Sequence, residues 1–215
     1  MKRIATWGGF IVIIGLIVWG MIAAGNKAEK ESAGIAPVDK VTSADWVKGA
    51  TSTAVTLVEY SDFQCPACGL YFPVVEQLMK EKADVVQFVY RHFPLSQHPH
   101  AIPAAQAAEA AGDQGKFWDM YKMIFETQSE WEALTDAKPV FAGYAKKLGL
   151  DMTKFAVDVA SKENLDKING DVKSGLKAGV NSTPTFYLNG KKITPQSYED
   201  FKKLIEDAVT TTKNS

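Results

Sequence analysis

"VEYSDFQCPACGLYFP", residues 58–73, contains both cysteines of a 215-residue chain. The run "TAVTLVEY" (53–60), which overlaps its start, alternates β-branched and apolar residues, the period-two signature of a strand. After Cys65 the period changes. Phe72, Val75 and Met79, with Val74 and Leu78, recur at helical spacing to about Lys82. Pro66 suits the first helical position, where a missing N–H costs nothing. The cysteines therefore stand where a strand hands over to a helix, and the Sγ of Cys65 would meet unpaired N–H groups and the positive end of the helix dipole. Thiols at such helix starts have pKa values of roughly 3.5–7.5. Cys68, one turn further in, would be more buried and placed to resolve a mixed disulfide. A fold that stabilises the Cys65 thiolate stabilises the reduced pair, and its disulfide becomes the stronger oxidant.

Two other readings of a close cysteine pair compete. A zinc site needs two more ligands, and the histidines are His92, His98 and His100; "HPH" has one intervening residue rather than the usual three to five. A purely structural disulfide spanning two residues closes too short a loop to stabilise much. The expectation is a redox pair, with no metal and no cofactor beyond the Cys65–Cys68 disulfide itself.

Outward from the pair, "DVVQFVYRHFPL" (84–95) reads as a second strand ended by Pro94. From Pro99 to about Gly179 the character is helical, in four or five segments. One carries Phe117, Met120, Tyr121 and Ile124 on one stripe, another stops at Gly149, and the next opens on Asp151 as N-cap. Trp118, Tyr121 and Phe125 read as core of this block, and His98 and His100 as capping or packing residues at its start. Strand character returns in "TPTFYLNGKKI" (183–193), with Asn189-Gly190 as a hairpin turn, and "SYEDFKKLIEDAV" (197–209) is an amphipathic helix. The fold class is therefore α/β, one sheet domain interrupted by helices. Glu59 shares a strand face with Val55 and Leu57. In a central strand its carboxylate would be buried beneath the cysteines, with a raised pKa suited to accepting the proton of Cys68. The alternative is a polar residue the strand merely tolerates.

Composition is that of a globular protein, 46% hydrophobic and 23% charged, too apolar for disorder and too charged for a multispanning membrane protein. Residues 1–26 stand apart. Lys2 and Arg3 precede roughly 23 uncharged residues, long enough to cross a bilayer, with Trp7 and Trp19 as interfacial residues. This segment reads as a membrane anchor, or alternatively as a signal peptide cleaved near Ala23-Ala24-Gly25. Either places the remainder outside the cytoplasm. Residues 27–45, polar and interrupted by Pro37, read as a linker. Beyond Lys2 and Arg3 there are 22 basic against 25 acidic residues, which excludes a nucleic-acid surface.

The ordered set "VEYSDFQCPACGLYFP", "RHFPL", "HPHA", "QGKFWDMYKMIF" and "GVNSTPTFYLNG" resembles the DsbA-type thiol–disulfide oxidoreductases, from about residue 40 to the end. The resemblance implies a thioredoxin-like fold over 46–97 and 180–215 with an all-helical insertion over 98–179. It implies catalytic Cys65 and Cys68, an acidic partner at Glu59, and an active-site loop of Pro66, Ala67, Thr183 and Pro184, with Pro184 a cis-proline facing the cysteines. Pro73 matches a proline that bends the active-site helix in thioredoxin-like proteins. One departure stands out: the best-known members carry a histidine where this chain has Ala67, which offers the thiolate no charge. The expected activity is donation of disulfides to reduced, unfolded exported proteins by a monomer. Reoxidation would fall to a membrane partner of the DsbB, quinone-linked kind. A reductase or isomerase using the same residues, and a non-catalytic metal- or peptide-binding module, are the alternatives.

Overall fold

The computed structural model describes residues 37–50 and 55–213. The expected anchor over 1–26 lies outside them. Five strands form one sheet: β1 (Trp46–Gly49), β2 (Val55–Ser61), β3 (Val86–His92), β4 (Thr185–Leu188) and β5 (Lys191–Ile193), in the spatial order β1-β3-β2-β4-β5. The β2–β3 pair is parallel and the others antiparallel. A parallel pair needs a crossover, and α1 (Pro66–Lys82) supplies it. The helices α2 (Ala101–Gly112), α3 (Phe117–Glu126), α4 (Gln128–Trp131), α5 (Lys138–Lys147), α6 (Met152–Val159) and α7 (Lys162–Lys177) run between β3 and β4, and α8 (Tyr198–Lys213) follows β5.

The central strand β2 separates two cores by simple alternation. Val55 and Leu57 face a large cluster with Val75 and Leu78 of α1, Phe117 and Ile124 of α3, and Phe201 of α8. Val58 and Tyr60 face a smaller one with Val89, Phe93 and Val180. Several local signals act as the sequence implies. The Asp151 carboxylate accepts from the N–H groups of Thr153 and Lys154, Gly149 takes a φ of 72° after α5, and Asn189 and Gly190 take φ of 49° and 79° at the β4–β5 turn.

Three features differ from expectation. The block between β3 and β4 holds six helices rather than four or five, because Thr127 closes α3 with an Oγ1–H donated to the Met123 carbonyl and a separate single turn, α4, begins. β1 is a four-residue edge strand too short to show a period. Trp46 within it stacks on Phe117 at 4.3 Å. Finally, residues 37–45 of the stretch read as linker are fastened to the domain. Arg91, buried, donates to both carboxylate oxygens of Asp45 at 2.7 and 3.2 Å and to the Lys40 carbonyl, and Lys177 pairs with Asp39.

Candidate active site

Cys65 is the N-cap of α1 (φ −70°, ψ 122°) with Pro66 in the first turn and no acidic side chain there to oppose a thiolate. The preceding turn is set by Asp62: its carboxylate accepts from Gln64 N at 2.8 Å and its carbonyl from Cys65 N at 3.0 Å. That turn aims the Asp62 backbone N–H at the Cys68 Sγ, 3.5 Å away. Cys65 is 6% exposed and Cys68 fully buried, both as free thiols.

The two sulfurs are driven apart in acidity. The hydrogen bond from Cys68 pulls Cys65 down to about 5, against the opposing effect of burial. A nearby Thr183 hydroxyl, otherwise without a partner, and the backbone N–H groups of Cys68 and Ala67 add to the pull. Burial pushes Cys68 well above the ordinary thiol range, reinforced by the bond it gives to Cys65 and by the charges of Glu59 and Cys65. At neutral pH the pair therefore holds one ionised sulfur and one protonated sulfur, an attacking group beside a reserve.

Glu59 stands in β2 opposite Tyr90 of β3 and Phe186 of β4, and is 2% exposed. Burial pushes its carboxyl up to about 7; the Ser61 hydroxyl opposes this slightly and the Cys65 charge adds to it. Its Oε2 and the Tyr90 hydroxyl are buried without hydrogen-bond partners, and the Ser61 Oγ has none beyond its pull on Glu59. A carboxyl kept half-protonated near pH 7 and electrostatically coupled to Cys68 is equipped to take or return a proton there.

Across from α1 the Thr183–Pro184 peptide is cis, and the Thr183 carbonyl lies 3.4 Å from the Cys65 Sγ. A cavity of about 240 Å³ opens beside it, lined by Tyr71, Pro184, Thr185, Phe186 and Ile193 among others. Five of the residues singled out in the sequence thus surround the sulfurs of the other two, Cys65 and Cys68: Pro66 and half-buried Ala67 on α1, Thr183 and Pro184 opposite, Glu59 beneath. Pro73 lies inside α1, two turns on.

Sequence reasoning missed the ring of polar side chains around residues 62–65. His98 does not cap α2; its Nδ1 bonds the Asp62 carboxylate at 2.6 Å. His100 occupies the N-cap position of α2, yet its ring reaches the Leu134 carbonyl, and its backbone N–H donates to Gln64 Oε1 at 2.6 Å. Gln64 donates to the Glu132 carbonyl, and Gln128 to the carbonyls of Phe63 and Cys65. The "HPH" spacing was the one local hint. Among the described residues there is no group of three or more His, Cys, Asp or Glu side chains able to hold a metal, and no helix long and apolar enough to cross a membrane.

The thioredoxin family profile matches residues 41–207. Among solved structures, oxidised BdbD from Bacillus subtilis superposes with a TM-score of 0.72 at 22% identity, covering 82% of this chain and 98% of that one. Wolbachia pipientis alpha-DsbA1 does so at 0.72 and 20% identity, covering 80% and 94%. These likenesses show a DsbA-type thioredoxin-like fold. Among curated proteins, the Na(+)/H(+) antiporter NhaA 1 of Salinispora arenicola is 40% identical over 149 residues, which is 69% of this chain but 22% of the antiporter. The chain thus spans about a fifth of the length of such relatives, and ion transport is not carried over to it.

Proposed function

The chain belongs to the thioredoxin family; on that premise we propose that it is a thiol–disulfide oxidoreductase and that it oxidises, donating the Cys65–Cys68 disulfide to reduced, folding proteins outside the cytoplasm. The observation that carries this reading is the opposed acidity of the two sulfurs at the start of α1. Each step that stabilises the Cys65 thiolate lowers the energy of the reduced pair relative to the disulfide, and about 30 mV corresponds to roughly 1.4 kcal/mol.

In the donating half-cycle a client thiolate attacks the Cys65 sulfur. The Cys65–Cys68 bond breaks, a mixed disulfide forms, and the Cys68 sulfur departs as a thiolate that takes its proton from neutral Glu59. A second client thiolate attacks the client sulfur of the mixed disulfide and expels Cys65 as a stable thiolate. The client loses two electrons and the cysteine pair gains them. In the restoring half-cycle Cys65 attacks the disulfide of an oxidised partner, and Glu59 removes the proton from Cys68, which then closes the ring. The Thr183–Pro184 loop, with its carbonyl facing Cys65, offers backbone for an extended client segment to pair with. A membrane-bound, quinone-linked protein of the DsbB kind fits the restoring role, and residues 1–26 would hold the domain at that membrane.

A redox titration against glutathione with Cys65→Ser and Cys68→Ser controls tests the direction. We expect a potential well above that of thioredoxin, and Cys68→Ser should accumulate mixed disulfides with clients. A potential near about −270 mV would assign the chain to reduction instead.

A further inference from the structure

We infer that Gln128 is a positioning residue for the reaction: from the helical insertion, it fixes by two donated bonds the turn that presents Cys65. This rests on the reading of Cys65 as the attacking sulfur.

Gln128 opens α4, and its Nε2 donates to the Phe63 carbonyl at 2.7 Å and to the Cys65 carbonyl at 3.0 Å. The Cys65 carbonyl also accepts the first helical bond, from Gly69 N at 3.1 Å. Pro66 fixes its own φ and the helix that starts there holds the dihedrals that follow, so the soft dihedral left between the Cys65 side chain and the N–H groups of Ala67 and Cys68 is ψ of Cys65. Both bonds to the Cys65 oxygen hold that angle. The Phe63 bond holds the turn on the other side of the sulfur.

The seat of Gln128 is rigid. Trp131, one turn on, is fully buried, donates to the Ile124 carbonyl at 2.9 Å and packs on Phe141 and His100. The traffic is reciprocal, since Gln64 donates back to the Glu132 carbonyl at 2.9 Å. The contact also accounts for a residue of the helix itself. A Cβ placed on Gly69 would lie 2.3 Å from the Gln128 Oε1, so the helix carries no side chain where the amide rests. Position 69 and position 128 form one device.

The test is the pH dependence of Cys65 alkylation by iodoacetamide in the reduced, full-length protein. At pH 4, below the wild-type midpoint, the rate follows the thiolate fraction. Gln128→Ala should slow it about two- to tenfold there, the worth of a hydrogen bond, while leaving the high-pH plateau unchanged. Gly69→Ala should give the same displacement by evicting the amide, and the double variant should be no worse than Gln128→Ala alone. Should Gln128→Ala fail to fold, Gln128→Met, of similar length but without a donor, is read in the same way. A variant whose melting temperature drops while its alkylation profile stays put makes Gln128 mere packing and overturns the inference, as would strictly additive effects at 69 and 128. A wild-type midpoint in the ordinary thiol range would instead sink the oxidase reading itself.

Discussion

Two glutamates, Glu59 and Glu109, are buried to almost the same degree, 2% and 1% exposed, and behave in opposite ways. Glu109, on α2, accepts from the Trp46 indole at 2.8 Å, the His92 ring at 2.7 Å and Lys167 at 2.5 Å. Burial pushes its carboxyl up, but the bond and charge of His92 and those of Lys167 outweigh this and hold it below the usual range. Glu59, on the central strand, has an oxygen with no partner, and burial pushes it up to about 7. Depth alone therefore does not decide whether a carboxyl is charged. Partners decide, and the fold provides them where β1, β3, α2 and α7 must be held together and withholds them beneath the sulfurs.

The strongest way to break this contrast is to remove the satisfied carboxylate. Glu109→Leu strands the Lys167 ammonium, the Trp46 N–H and the His92 ring at once, and should cost about 3 kcal/mol in urea unfolding. The Cys65 alkylation profile should stay as in the wild type. A neutral or stabilising result would show that the cluster is dispensable.

Glu59→Leu should act with the opposite sign. Because the folded pKa of about 7 stands above the unfolded value of 4.5, the native protein holds this proton longer than the unfolded chain. The carboxyl's contribution is fully present below pH 4.5 and is lost as pH rises through 7. The variant should then gain about 3 kcal/mol over wild type at pH 8 and little at pH 4, seen by paired denaturation curves. Its chemistry should suffer. Glu59→Gln, with the shape kept, should slow attack by Cys68 on a mixed disulfide by ~tenfold or more while leaving the first attack by Cys65 unchanged. Equal single-turnover rates for both steps in wild type and variant would remove Glu59 from proton transfer.

The smallest effect sharpens the comparison. Ser61→Ala removes the hydroxyl that restrains the Glu59 shift, so the carboxyl should titrate higher still, with a change in stability under about 1 kcal/mol. Carboxyl-selective NMR would show it, and a downward movement would mean that Ser61 does not act on Glu59.

The sequence discloses one of these glutamates and hides the other. Glu59 sits in a strand whose neighbours Val55 and Leu57 announce a buried face, so its burial follows from period two. Glu109 sits in "PAAQAAEAAGDQ", where a single charge among alanines reads as a solvent-facing helix position. Its three partners lie in β1, β3 and α7 and cannot be inferred from neighbours in the chain. The cysteine turn shows the same division. Pro66, the two sulfurs and the proline loop are legible because their roles are local or carried by a recognisable motif. Gln64 and Gln128 are 64 positions apart and become a pair only once α4 folds against the turn. β1 escapes because four residues cannot display a period.

The Arg91–Asp45 clasp bears on how far the domain can roam. Residues 37–45 are stitched down as far as the clasp, so any attachment made through the chain ahead of them acts on the domain at residue 37. At full stretch those residues would have added about 30 Å of slack. Their capture shortens by that length the reach of the domain from anything fastened to the chain ahead of residue 37.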